Sequence, residues 1–400
     1  MANCKQFSIC GLAAQDPEGL CILHSKEEKK DRSAFQNSLK IHLEKGNHRF
    51  EGFFFPEGTS KFLRRTFEKG TSFNWSTFEG WASFDESSFQ NGVSFHGVTF
   101  QKEASFNGAT FKGETTFRGV TFEGGTSFDE AIFEGETNFD WSRFLGDTTF
   151  RKVTFYELVS FSGCSFEKEI TFNASSFKRG GLFIQGEEDL FQERCNFANI
   201  HLEMPHLLRF ERVKLVQASL LRTPLRKVEF VDVSWSYPKP SGRIRLFDER
   251  CARKEALPLI EDLYRQLKMN YEERGDHEKA GSFHYGEKEM MRKRRSFFRD
   301  PFLWFYWLLS GYSERVGRAF FWLLFLIFAG GFSYWEIGFN DPKPMSNFFL
   351  HSMKITLLPQ FIGAGNLKCP IGSWIEALQF FFGKAQIALL LFALRQRLRR

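Results

Sequence analysis

Four side chains able to ligate a metal lie within the first 24 residues: Cys4, Cys10, Cys21 and His24, in "MANCKQFSICGLAAQDPEGLCILHSKEEKK". Three thiolates and an imidazole complete a tetrahedral structural zinc site. Cys21 and His24 have tight C-x-x-H spacing, whereas Cys4 and Cys10, with five residues between them, are looser than the usual knuckle. So short a segment has little core of its own, and a metal would staple it. The other reading is free thiols in a reducing compartment. The seven cysteines are odd in number and scattered, which does not make a disulfide framework. Further along, His277, His284, Glu287 and Glu289 read as residues of solvated helix faces. Glu376 and Lys384 are ionisable residues inside an apolar run, where such groups are costly. The sequence has no Ser-His-Asp grouping, phosphate-cradling glycine loop or HExxH motif, so no catalysis is expected.

The elements that must position these groups follow from phenylalanine, 52 of 400 residues. From Phe62 to Phe183 the rings recur five and six residues apart in alternation, through eleven units of eleven residues. Such a period could close three helical turns. At about 100° per residue, however, positions five apart stand about 140° around a helix and would form two opposed ridges. The residues between are rich in Gly, Ser, Thr and Val, which are weak helix formers. In an extended chain, side chains two apart share a face. A small or β-branched residue stands two before most rings, as Ala82, Val93, Val98, Ala104, Ala109 and Thr115 do. Glycine stands two after many, as at Gly97, Gly108, Gly113, Gly119 and Gly135, and suits a corner. Alternating strand and corner make a solenoid with stacked rings in its bore.

This pattern resembles pentapeptide-repeat proteins, in which a central Leu or Phe is preceded two positions earlier by Ala or another small residue. The resemblance implies a mainly β fold, a right-handed quadrilateral β-helix with four short faces per coil. The alternation of five and six departs from the family's strict five and implies about 22 residues per coil. Strict fives return at Phe210, Leu215, Leu220, Leu225, Phe230 and Trp235. The solenoid is placed at residues 49–237. Residues 1–48 form the Cys/His segment and a loosely helical cap carrying Phe35, Leu39, Ile41 and Leu43. Some members of the family are acidic rods that mimic DNA. Here 16 Asp and Glu face 12 Lys and Arg between Phe62 and Phe183, so neither mimicry nor a nucleic-acid partner is expected.

After "SYPKPSGR" the composition shifts to an α-helical hairpin linker, residues 246–299. Ile260, Leu263, Tyr264, Leu267 and Tyr271 follow helical spacing, Gly275 and Asp276 end the first helix, and Ala280, Phe283 and His284 lie on the second. The pair resembles the hairpins of tetratricopeptide-like units. Residues 300–400 read as a two-helix transmembrane domain. Residues 319–338 begin with the uncharged "AFFWLLFLIFAGGFSYW" and are long enough to cross a bilayer, as are residues 374–394, which hold Glu376 and Lys384. The aromatic stretch Phe302 to Tyr312 suits the interface. Arg292 to Arg295, Arg315, Arg318 and Arg395 to Arg400 flank the spans while the loop between is poorer in bases. That bias puts the N-terminus, solenoid and C-terminus in the cytoplasm, on an inner membrane. No basic head precedes an apolar run at the N-terminus, so no signal peptide is expected.

Two spans flanking "NFFLHSMKITLLPQFIGAGN" resemble the pore module of potassium-channel-like proteins. A selective filter needs a run such as T-V-G-Y-G. In "TLLPQFIGAG", Pro359 and Gln360 interrupt the run and the Gly-aromatic-Gly core is absent, so selective potassium conduction is not expected. Glu376 and Lys384, eight apart, are too distant for direct contact in one helix. Lys384 therefore either meets another subunit or snorkels toward a headgroup. Together these readings describe a membrane-anchored, non-catalytic scaffold that presents a cytoplasmic solenoid to a protein partner, with membrane helices able to form a homo-oligomer. The alternative is a degenerate two-span channel regulated by its solenoid.

Overall fold

The computed structural model describes residues 3–16, 18–27, 30–235, 243–295, 297–338, 345–358 and 371–398. They fall into two compact units, Met1–Arg253 and Lys254–Arg400. The break "SYPKPSG" and the filter-like stretch from Pro359 to Gly365 lie outside the described residues.

The first unit is a β-solenoid of about eight coils built from strands mostly two residues long, and the sequence reading of its class holds. One of its four parallel sheets stacks Thr66–Phe67, Ser88–Phe89, Thr110–Phe111, Ile132–Phe133, Thr154–Phe155, Ser176–Phe177 and His201–Leu202, ring over ring in register until Leu202. The rings face inward and are buried, as are the small partners Ala82, Val93, Ala104 and Ala109. Strand spacing in a sheet is about 4.8 Å, which is also a favourable distance for offset aromatic stacking. In-register coils therefore stack Phe95 on Phe117 and Phe117 on Phe139, each at 4.8 Å and within 3° of parallel. Around a coil the rings meet edge to face, as Phe84 and Phe95 do at 5.5 Å and 85°. Both geometries suit the aromatic quadrupole, so one residue type satisfies the core in both directions.

Polar ladders on the outside repeat the coil period. Asn74, Asp85, Asn107, Asp129 and Asp140 each accept the backbone N–H of the residue 22 positions on, at 2.8 to 3.0 Å. Corner glycines divide into two kinds. Gly119 has φ +66 and open space where a Cβ would stand. Gly135 has no such backbone, but a Cβ there would lie 2.5 Å from the carbonyl carbon of Gly113 in the coil before. The expected conformational reason thus applies only to the first kind. Trp75, Glu86, Glu130, Trp141 and Lys152 also adopt the left-handed backbone, with φ between 53° and 63°.

Both ends of the solenoid are covered. Helix Arg32–Glu44, capped by the Asp31 carboxylate, lays Phe35, Leu39 and His42 inward, and Phe35 meets Phe55 at 5.6 Å. Ile41, expected to cap the coil, is 49% exposed because spacing of four and three puts His42 on the inner face instead. At the far end, helix Phe247–Arg250 carries Asp248, which accepts from the Ser219 hydroxyl and the Leu220 N–H at 2.7 and 2.9 Å.

In the second unit, helices Leu257–Glu273 and His277–Arg294 form a hairpin with Ile260, Leu263, Tyr264, Leu267 and Phe283 buried between them. Glu287 and Glu289, read from sequence as solvated, are buried. The reason is charge pairing: Glu287 meets Arg265 at 3.1 Å and Glu289 meets Arg292 at 2.6 Å. Helix Pro301–Ser310 follows, then the long helices Val316–Ile337 and Ile371–Leu398, with the short helix Met345–Leu357 between them in sequence. Val316–Ile337 and Ile371–Arg395 are long and apolar enough to cross a membrane, with mean hydropathy 1.7. Each begins three residues before its expected start.

Candidate functional site

Two clusters of polar chemistry stand out, one in each unit. The first is made by the turns of the N-terminal segment. Cys4 N donates to Leu12 O and Lys5 N to Gly19 O, so two loops close side by side and bring Cys4 beside Cys21. A tight turn, with His24 N on Cys21 O at 3.0 Å, then swings the imidazole back over the thiols. The ligand atoms of Cys4, Cys10, Cys21 and His24 all lie within 4.8 Å of one another. His24 Nδ1 is 3.2 Å from Cys21 Sγ and 3.7 Å from Cys4 Sγ. Tetrahedral zinc with these donors needs ligand separations of roughly 3.6 to 3.8 Å.

The surroundings suit a cation. His24 Nε2 lies 3.1 Å from the Glu51 carbonyl oxygen, which can only accept, so the proton sits on Nε2 and the Nδ1 lone pair faces the sulfurs. The N–H groups of Cys21 and Gln6 point at Cys4 Sγ from 3.3 and 3.4 Å, as donors to a thiolate do. Burial lowers His24 and keeps its ring neutral, while burial pushes the Cys21 thiol up to about 12 when no cation is beside it. A metal would have to displace that proton. The His24 ring also packs edge-on against Phe53 of the solenoid at 4.9 Å, joining the cluster to the ring column. These four residues could hold a metal ion. The other described cysteines are apart from it: Cys164 and Cys195 are buried in the solenoid and Cys251 is exposed.

The second cluster is a polar seam among apolar helices. His351 Nε2 and Glu376 Oε1 are 2.7 Å apart. Tyr334 donates to Gln379 Oε1 at 2.6 Å, and Gln379 Nε2 reaches the hydroxyls of Ser352 and Thr356 at 2.6 and 2.8 Å. Gly330 makes room, since a Cβ there would stand 2.4 Å from Gln379 Oε1. Pairs 351–376, 352–379 and 356–384 rise together in number, so Met345–Leu357 runs parallel to Ile371–Leu398. The Ile327 carbonyl accepts from Ser352, and Ala319 O accepts from Gln386, which sets Val316–Ile337 antiparallel to both.

Sequence reasoning singled out Glu376 and Lys384, and they do not meet. Lys384 Nζ donates to the carbonyls of Thr356, at 3.1 Å, and Leu358. His351, Gln379, Tyr334, Ser352 and Thr356 carry no fixed charge, so charge within an apolar run does not mark them. A signal existed, since Glu376, Gln379, Gly383 and Gln386 recur at three- and four-residue spacing along one helix stripe.

Comparison with known proteins bears on the solenoid. Residues 84–132 and 128–176 match the family model for pentapeptide repeats in nine copies. Neither curated proteins nor solved structures gave a match. One ring column continues beyond both matched stretches, from Phe50 to Phe230, so the part of the chain similar to pentapeptide repeats is the middle of the solenoid.

Proposed function

We propose that the chain is a membrane-anchored, non-catalytic platform whose solenoid meets a protein partner on the cytoplasmic side of an inner membrane. The observation that carries this reading is the apolar surface left exposed on the two long helices. Phe321, Phe328, Phe332, Phe381 and Leu391 all point outward, and patches of that size need lipid or another helix against them. Phe298 and Phe302, 94% and 85% exposed just before the first long helix, suit the headgroup layer. The bias of Arg and Lys outside the spans supports cytoplasmic placement of both ends. The platform part is supported by Trp75 and Trp141. They stand three coils apart on one corner column and are 65% and 55% exposed, and exposed tryptophan is a favoured anchor of protein interfaces. In this reading zinc fills the Cys4, Cys10, Cys21 and His24 cluster and pins the N-terminal cap to the first coil.

The short helix lying parallel to Ile371–Leu398 favours a second reading, a degenerate two-span channel with a regulatory solenoid. Ion flux separates the two. Purified full-length protein in liposomes gives no potassium or sodium flux above empty vesicles if it is an anchor. Flux with a defined oligomer around a wet path would establish the channel instead.

A further inference from the structure

Lys384 sits near the middle of an apolar helix, yet among the described residues no carboxylate pairs with it. Its partners are neutral. Nζ donates to the carbonyl oxygen of Thr356 at 3.1 Å and to that of Leu358, and it lies 4.9 Å from the centre of the Phe380 ring. Thr356 is the second-last residue of Met345–Leu357, so its carbonyl belongs to the last turn, which lacks intrahelical partners. The C-terminal end of a helix carries partial negative charge, which favours a cation beside its last carbonyls. Carbonyl oxygens and an aromatic face are what solvate a bare monovalent cation in a protein. An ammonium group is close in size to a potassium ion. The seam beside the site is already committed, since Glu376 is bonded to His351 and the Thr356 hydroxyl to Gln379 and the Ser352 carbonyl.

We infer that the carbonyls of Thr356 and Leu358 with the ring of Phe380 form a monovalent-cation site, and that Lys384 is its permanent occupant, tethered by the chain. With the lysine in place the site exchanges no ion. Shortening the side chain opens it to a free cation of ammonium or potassium size. This inference does not depend on the anchoring reading, because it rests only on contacts inside the second unit.

The test uses the purified full-length chain and thermal unfolding in choline chloride, whose cation is much larger than ammonium or potassium. Lys384→Ala melts lower than the unsubstituted chain by about 5 °C or more. Methylammonium or potassium chloride restores at least half of that loss and leaves the unsubstituted chain unmoved. Lys384→Gln, whose neutral amide fills the space, stays low in every salt. Recovery of Lys384→Ala only from cells lysed in methylammonium would be the same result in stronger form. The inference fails if Lys384→Ala melts like the unsubstituted chain, or if choline serves as well as methylammonium. It also fails if Lys384→Gln is as stable as the unsubstituted chain, because a hydrogen-bond donor alone would then suffice.

Discussion

His351 Nε2 lies 2.7 Å from Glu376 Oε1, at one end of the polar seam between Met345–Leu357 and Ile371–Leu398. The pair helps to fix how far the short helix slides along the long one, because a shift of one residue would break this contact. A buried polar group left alone costs about 1–3 kcal/mol. Glu376→Ala is expected to lower unfolding stability by that amount, and His351→Ala likewise. The double variant loses less than the sum, as groups in direct contact do. Thermal unfolding of the four proteins in one detergent checks the cycle, and simple additivity would mean the contact carries no energy.

The ring column gives a larger effect. Phe117 is fully buried and stacks on Phe95 and Phe139. Phe117→Ala removes a whole ring from a closed bore and is expected to cost about 3–5 kcal/mol. Denaturant unfolding followed by circular dichroism measures it. Phe117→Leu, which keeps most of the apolar volume, should cost less.

Corner glycines separate two causes of one residue preference. Gly119→Ala meets only a left-handed backbone with open space around it, a strain of about 1–2 kcal/mol. Gly135→Ala drives a methyl against the backbone of the neighbouring coil and should cost more, enough to disturb the ladder on both sides. Melting temperatures of the two variants rank the causes, and equal losses would contradict the distinction.

Much of this was legible in sequence, and the reason is physical. A coil that repeats every 22 residues must repeat its buried side chains, so Phe84 to Phe183 announce the solenoid by spacing alone. The caps were less legible because each is used once. Asp248 has no counterpart elsewhere in the repeat, and only the fold sets it against Ser219 and Leu220. Glu287 and Glu289 were misread for a related reason: helical periodicity places a residue on a face but does not say which arginine will cover it. The Cys/His set was visible as residue types, while its closeness depends on two backbone turns that spacing alone does not specify.

Glu287 makes a pH prediction. Burial alone would raise its carboxyl, but His284, Lys268 and Arg265 outweigh burial and hold it at about 2, below the ordinary 4.5. A carboxyl depressed on folding contributes stability that is complete above the unfolded value and fades as pH falls through the folded one. The helical hairpin is therefore expected to weaken between about pH 4.5 and 2, with a change on the order of 3 kcal/mol. Hydrogen exchange of residues 257–294 across that range tests it. Arg265→Met should shrink the change, and no pH dependence in either protein would contradict the pairing.

At the N-terminus, purified chain is expected to carry about one zinc ion, and Cys21→Ser or His24→Ala to lose it. Loading releases thiol protons, so affinity falls as pH falls. Elemental analysis with a competing chelator at pH 6 and pH 8 measures both. Equal metal content in the unsubstituted chain and Cys21→Ser would exclude the cluster as the site.

In the proposed reading the apolar helices hold a self-sufficient solenoid at a membrane. Truncation after Arg299 tests it most directly, by comparing sedimentation and circular dichroism of residues 1–299 with the full chain. The full chain is expected to stay with membranes through alkaline carbonate extraction, while the truncated chain is soluble, monodisperse and rich in β structure. A full chain released by carbonate, or a truncated chain that aggregates unfolded, would contradict it.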